Sequence, residues 1–284
     1  MLLGARLIDS HIHVSNPHLP GIKILPELLL KAPEEVASQL HAEMQHAGIC
    51  VALAIGTLNI SEIDPLGIGE TSTIAKIVPG IHPIGVMDAT RTAPEHLDRV
   101  ERLLRQGNVK ALKGFLGYQH FGPEHPGFQP YYRLAEKYDL PVLFHSGDTY
   151  SKTAKLKYAH PLRIDEVAVD HPNVRFVIAH TGNPWLIDAA QVIYKNDNVW
   201  ADLSGILVGD EAYFDRLTRS GSINRDIDGI VAAIDYSERP DRFLYGSDWP
   251  FAPMKTYLHF IERAIPVEHR EDILQNNARR LFKL

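Results

Sequence analysis

Arg6-Leu7-Ile8-Asp9-Ser10-His11-Ile12-His13 is a short apolar run that ends in polar residues, two of them histidines one residue apart. Runs of this kind recur along the chain. Eight strand-like runs can be read, at residues 6–8, 50–55, 83–87, 109–116, 141–144, 175–179, 199–203 and 243–245. Each is followed by a loop and a helix-like stretch, clearest at residues 94–105, 130–138, 163–169 and 185–195. Pro94, Pro130 and Pro184 fall near helix starts, where the missing N–H costs nothing. Strands alternating with helices are the pattern of βα units. Eight of them in 284 residues predict an α/β protein, a closed (β/α)8 TIM barrel, which takes roughly 250 residues. An open doubly wound sheet fits less well. The glycine loop of dinucleotide folds is missing, because Gly67-Ile68-Gly69 lacks a third glycine and does not follow a strand directly.

Composition narrows the function. No repeat, low-complexity tract or composition shift divides the chain, so residues 1–284 read as one domain. Hydrophobic residues make up 45%, enough for a sizeable core. With 35 acidic and 29 basic residues the net charge is −6, which gives no general attraction for nucleic acid or an anionic membrane. The opening MLLGARLIDS carries no signal-peptide pattern, and no apolar run approaches the roughly 20 residues of a membrane span. A cytoplasmic enzyme acting on a small molecule is expected, with a homodimer as one arrangement of its apolar helices. The single cysteine, Cys50, sits in Gly48-Ile49-Cys50-Val51-Ala52-Leu53 and reads as a small core residue of a strand.

The side chains that carry chemistry fall at the ends of the runs. His11 and His13 close the first, Lys113 lies on the fourth, His145 ends the fifth, His180 ends the sixth, and Asp248 follows the eighth. In a strand, residues i and i+2 share a face about 6.6 Å apart. Two imidazoles at that spacing can lean together on one ion at about 2.1 Å each, while Ile12 points to the helical shell. Alone, such a pair could be two surface histidines. Its place at a strand end, just after Asp9, favours a site. Barrel closure would bring all these residues to one mouth, and the C-terminal ends of barrel strands carry active sites. The loops at residues 148–161 and 204–210 are expected to form its rim.

Together, Ile8-Asp9-Ser10-His11-Ile12-His13, Phe144-His145-Ser146-Gly147, Ala179-His180-Thr181-Gly182 and Tyr245-Gly246-Ser247-Asp248-Trp249-Pro250 resemble the amidohydrolase superfamily. More narrowly, they are similar to the branch of aminocarboxymuconate-semialdehyde decarboxylase-like proteins and their hydrolytic relatives. The resemblance implies a divalent metal, zinc being expected, with His11, His13 and His145 as ligands and Asp248 as ligand and proton acceptor. It implies for His180 either a second metal or contact with the substrate. Lys113 decides between one ion and two. Carboxylated, it would bridge two metals; as a cation it would hold an anionic substrate or form a structural ion pair.

The expected reaction is hydrolysis of an amide, ester or lactone by metal-activated water, with Asp248 as general base and His180 polarising the carbonyl. The alternative on the same ligands is a metal-dependent non-oxidative decarboxylase. Less favoured are a metal-binding protein without turnover and a nuclease of the same superfamily, which the acidic balance opposes. Tyr118, Arg91, Trp185 and Trp249 follow strands and are expected to contact the substrate, with Arg91 either on its carboxylate or paired with Glu95. Tyr150 and Phe251 are further rim aromatics.

Overall fold

Alternation across each strand sorts the side chains into two layers, and the sheet closes around one of them. The computed structural model describes residues 7–284, so Arg6 and the residues before it lie outside the described part. The strands are β1 (Leu7–His13), β2 (Ile49–Ile55), β3 (Ile81–Val86), β4 (Ala111–Gly114), β5 (Val142–Phe144), β6 (Phe176–Ile178), β7 (Val199–Asp202) and β8 (Phe243–Leu244). They form one sheet in sequential order, each parallel to the next. The seam between the first and last strands is stitched by Ser10 N–H to Tyr245 O (2.9 Å), Asp248 N–H to His11 O (2.9 Å) and His13 N–H to Trp249 O (2.7 Å). Each of the eight expected runs overlaps one of these strands, and the expected (β/α)8 barrel is the fold.

Helices fill the connections: α1 (Pro33–Ala47), α2 (Gly69–Ile77), α3 (Pro94–Leu104), α4 (Gln129–Tyr138), α5 (Leu156–Ala159), α6 (Leu162–Asp170), α7 (Leu186–Lys195), α8 (Glu211–Ser220), α9 (Asn224–Ser237), α10 (Met254–Ala264) and α11 (Asn277–Phe282). Helix α1 shows the local logic. Pro33 starts it, and Gly48 ends it at φ 73°, the left-handed cap that glycine adopts without penalty. No described helix is long and apolar enough to cross a membrane.

Outward residues such as Ile12, Ala54, Leu112, Phe144, Phe176 and Tyr245 pack against the helices in the larger core. Inward residues Ile8, Leu53, Ile84, Ala111, Leu143, Val177 and Leu244 fill the barrel, and Ala278, Leu281 and Phe282 of α11 pack against them. The chain's last helix therefore closes the N-terminal end of the barrel, held there by Arg175 Nη1 donating to Leu281 O at 2.8 Å. Among the described residues the interior is apolar at that end, and its polar side chains gather at the other.

Two expectations need correction in detail. Strand β1 runs on through His13, because the β2 ladder and the seam both hold it there. Cys50 is exposed and not a core residue, since it lies at the N-terminal rim of β2, where its Sγ is 3.5 Å from Leu7 O.

Candidate metal centre

The mouth of the barrel collects the imidazoles in an arc. Ring centroids lie 5.5 Å apart for His13 and His11, 4.8 Å for His11 and His180, and 5.0 Å for His180 and His145. Strand β1 brings the first two together by carrying one extra residue between Asp9 and Ile12 relative to β2, where Asp9 pairs with Ala52 and Ile12 with Ala54. Such a bulge re-aims side chains at a strand end. Asp248 meets the arc from the far side of the seam. Its Oδ1 is 3.5 Å from His11 Nε2 and 3.4 Å from His13 Nε2. It reaches that position at φ 60°, and the neighbouring His180 is also left-handed at φ 58°. Backbone outliers of this kind cluster at functional sites.

Asp202, at the end of β7, holds the arrangement in place. Its Oδ2 accepts from His11 Nδ1 at 2.9 Å. Its Oδ1 accepts from the His180 N–H at 3.0 Å, the Ser204 N–H at 3.1 Å and the Ser204 hydroxyl. With Nδ1 committed as donor, His11 presents the lone pair of Nε2 to the cavity. His180 is fixed similarly, its Nδ1 lying 3.2 Å from Ser204 O and 2.9 Å from Ser204 Oγ. Gly205 must be small here, because a Cβ would come within 2.6 Å of His180 Nδ1. Asp9 is buried beneath, accepting from the His11 and Ser247 N–H groups at 3.1 and 3.0 Å.

Among the described residues, two trios of donor atoms lie within 4.8 Å of one another: His11, His13 and Asp248, and His11, His180 and Asp202. The second is already consumed by hydrogen bonds. The first is not: His11 Nε2 and Asp248 Oδ1 are buried without a hydrogen-bond partner. Two imidazoles and a carboxylate converging with unspent lone pairs fit a divalent cation, which takes three protein donors in an open catalytic site. His145 lies on the same wall but in neither trio. Its Nε2 donates to Asp148 O at 2.9 Å, which leaves Nδ1 as the ring's acceptor.

Burial pushes His13 down from the usual histidine range, His145 well down, and His180 to about 4, so these rings rest neutral, the form that binds metals. Burial alone would raise the carboxyls. At Asp202 the adjoining imidazoles of His11, which donates to it, and His180, with the Lys113 ammonium, overcome it, and at Asp248 the imidazoles of His13, His180 and His11 do the same, so both fall below the ordinary range. Asp9 has less help and burial takes it up to about 7.

Pro17, Leu19, Ile22, Phe115, Tyr118, Tyr150 and Phe251 complete the lining with the four histidines, Lys113 and Asp248. The Tyr118 ring lies 4.9 Å from that of His145, and its hydroxyl accepts from the Tyr150 N–H at 3.0 Å. The cavity is about 30 Å³, room for one water-sized body. The loop after β1 is tied to the loop after β5 by the Ile22–Ser151 bridge and covers the mouth.

Of the four residues expected on the substrate, only Tyr118 lines this cavity. Arg91 pairs with Asp88 (3.3 Å) rather than Glu95, in a surface cleft beside α3. Trp185 packs on His160, ring centroids 4.7 Å apart. Trp249 is buried and faces a different cleft, with Pro26 and Glu43. Arg91 and Trp185 lie in loops five and seven residues beyond the ends of β3 and β6, and Trp249, bridged to Ile12, turns to the other cleft. Asp202 is the residue that sequence reasoning missed. Its signal was a carboxylate closing an apolar run, the same signal that marked His145 and His180.

Known proteins resemble the chain at three levels. The amidohydrolase family model (Amidohydro_2) matches residues 8–284. The gamma-resorcylate decarboxylase of Rhizobium sp. (strain MTP-10005) is 25% identical over 56% of this chain and 55% of its own length, so the chain spans about half the length of the curated relative it matches. The 5-carboxyvanillate decarboxylase of Sphingomonas paucimobilis superposes with a TM-score of 0.67 at 15% identity, covering 99% of this chain and 100% of that one. A dihydroxybenzoic acid decarboxylase from Polaromonas sp. JS666, solved with manganese and 2-nitroresorcinol, gives 0.65 at 14% identity, covering 98% of this chain and 97% of that one. These matches correct the expectation of amide, ester or lactone hydrolysis: the named relatives break a carbon–carbon bond, the reaction weighed as its alternative. Motifs, barrel and family match agree, and the chain belongs to the amidohydrolase family.

Proposed function

We propose that the protein is a metal-dependent non-oxidative decarboxylase of a hydroxylated aromatic acid. The observation that carries it is the convergence of His11, His13 and Asp248, with unspent lone pairs, beside an aromatic-lined cavity, in a chain whose curated relatives are gamma-resorcylate decarboxylases. His11, His13 and Asp248 would hold the ion, and His145 stands on the wall beside them. A divalent cation there supplies positive charge and Lewis acidity that anchor an anionic substrate. Imidazole and carboxylate donors suit zinc and manganese alike, and elemental analysis of the purified protein assigns the ion.

The protein's own residues do the rest. Phe115, Tyr118 and Phe251 offer flat apolar walls to a ring and exclude water. Asp202 keeps His11 in the tautomer that faces the cavity. Asp248, ionised at rest, is placed to take the proton of a hydroxyl ortho to the carboxylate and hand it to the ring carbon that bears the carboxylate. The carbon–carbon bond then breaks, its electron pair returns to the ring, and carbon dioxide leaves. The phenolate recovers a proton from solvent, which balances the reaction. The test is carbon dioxide release from a panel of hydroxybenzoates by metal-loaded protein, with 2,6-dihydroxybenzoate included. Release is expected only from acids with an ortho hydroxyl, and none from any member of the panel would overturn the reading.

A further inference from the structure

Lys113 has no role in that chemistry, yet it occupies the cavity. It is fully buried on β4, and its Nζ has no hydrogen-bond partner. The Phe115 ring centroid lies 5.7 Å from Nζ. The groups facing it come from every neighbouring strand end: His11 and His13 from β1, His145 after β5, His180 after β6, Asp202 on β7 and Asp248 after β8. The histidines are neutral donors. Neither carboxylate bonds to Nζ: Asp202 is bonded to His11, His180 and Ser204, and Asp248 Oδ1 faces His11 Nε2 and His13 Nε2 at 3.5 and 3.4 Å. An ammonium withdrawn from water without a partner is costly. Proteins keep such a group where a ligand completes it.

Charge points to the ligand. A divalent ion held by His11, His13 and Asp248 would offset the charges of Asp248 and of Asp202 behind them, and would leave the Lys113 ammonium uncompensated. One monoanion restores neutrality. We propose that Lys113 is a substrate-binding residue, its buried ammonium reserved for the carboxylate of a monoanionic aromatic acid. This deepens the decarboxylase reading and rests on it for the substrate class, although the anion site itself can be tested without turnover.

The experiment compares the metal-loaded wild type with Lys113→Met, which keeps an unbranched apolar side chain as far as Cε and removes the charged nitrogen. Lys113→Gln serves as a second variant. The probes are benzoate, which carries the carboxylate without hydroxyls, and resorcinol, which carries hydroxyls without a carboxylate. Calorimetry should show benzoate binding weakened at least tenfold in both variants and resorcinol binding changed less than twofold. Metal content per chain should be the same in all three proteins. Without ligand, Lys113→Met should melt higher than the wild type, because an unpaired buried charge has gone, and benzoate should raise its Tm less. Undiminished benzoate affinity in the variants, or no benzoate binding by the wild type, overturns the proposal. Loss of metal from Lys113→Met also overturns it and makes the lysine part of the metal centre; a lower Tm makes it a structural ion. Failure of the decarboxylase reading looks different: benzoate still binds through Lys113, but no hydroxybenzoate releases carbon dioxide.

Discussion

A single carboxylate, Asp202, determines how the mouth of this barrel presents its nitrogen atoms. It bonds to His11 across 191 positions of sequence, so nothing local to either residue announces the pair. Carboxylates behind a metal-binding histidine fix its ring and raise its basicity, and their loss typically lowers metal affinity 10–100-fold. Asp202→Asn is expected to bind metal about 10–100-fold more weakly while folding normally, measured by chelator competition; unchanged affinity would remove Asp202 from the site. Asp248→Asn is expected to lower turnover by at least about 100-fold, read as carbon dioxide release at saturating metal. The histidines and Asp248 were legible in the sequence because each closes an apolar run. Lys113 was legible as a residue but not as a role, since that depends on which carboxylates its neighbours leave unused.

Elements behave as their patterns foretold, and the irregularities between them matter more to the site. The extra residue in β1 turns His11 and His13 toward one oxygen, and no composition signal marks it. The covering loop after β1 leaves about 30 Å³, too little for the aromatic acid proposed as substrate, whose entry would require the loops after β1 and β5 to part. Cross-linking them as a disulfide, with Ile22→Cys and Ser151→Cys at their bridge, is expected to suppress turnover when oxidised and restore it on reduction. Equal rates in both states would show that entry needs no such motion. At the opposite end α11 seals the barrel with Phe282, which is 2% exposed. Phe282→Ala should cost about 3–5 kcal/mol in denaturant unfolding, because the closed barrel cannot collapse around the hole.

At the scale of the molecule, burying neutral histidines links stability to pH. His13, His145 and His180 lie below the usual histidine value in the folded protein, His180 at about 4. In the unfolded chain they titrate near 6.5. Between that pH and their folded values the unfolded chain binds protons that the folded one does not, so stability falls as pH falls. Each contributes up to about 1.4 kcal/mol per pH unit. The metal-free protein is therefore expected to lose Tm steadily from pH 7 to pH 5; a flat profile would contradict the neutral, buried histidines.

The chain's linear order by itself determined the barrel, because periodicity and strand–helix alternation are local properties and eight repeats of them leave one economical closure. It also placed the candidate metal-binding side chains at the mouth, since strand ends can be counted. Only the tertiary structure decided which side chains face inward. It sent Arg91, Trp185 and Trp249 away from the cavity, brought Asp202 behind His11 and left Lys113 without a partner. Those outcomes depend on contacts between residues far apart in sequence, where the direction of a side chain, and not its place in the chain, sets what it touches.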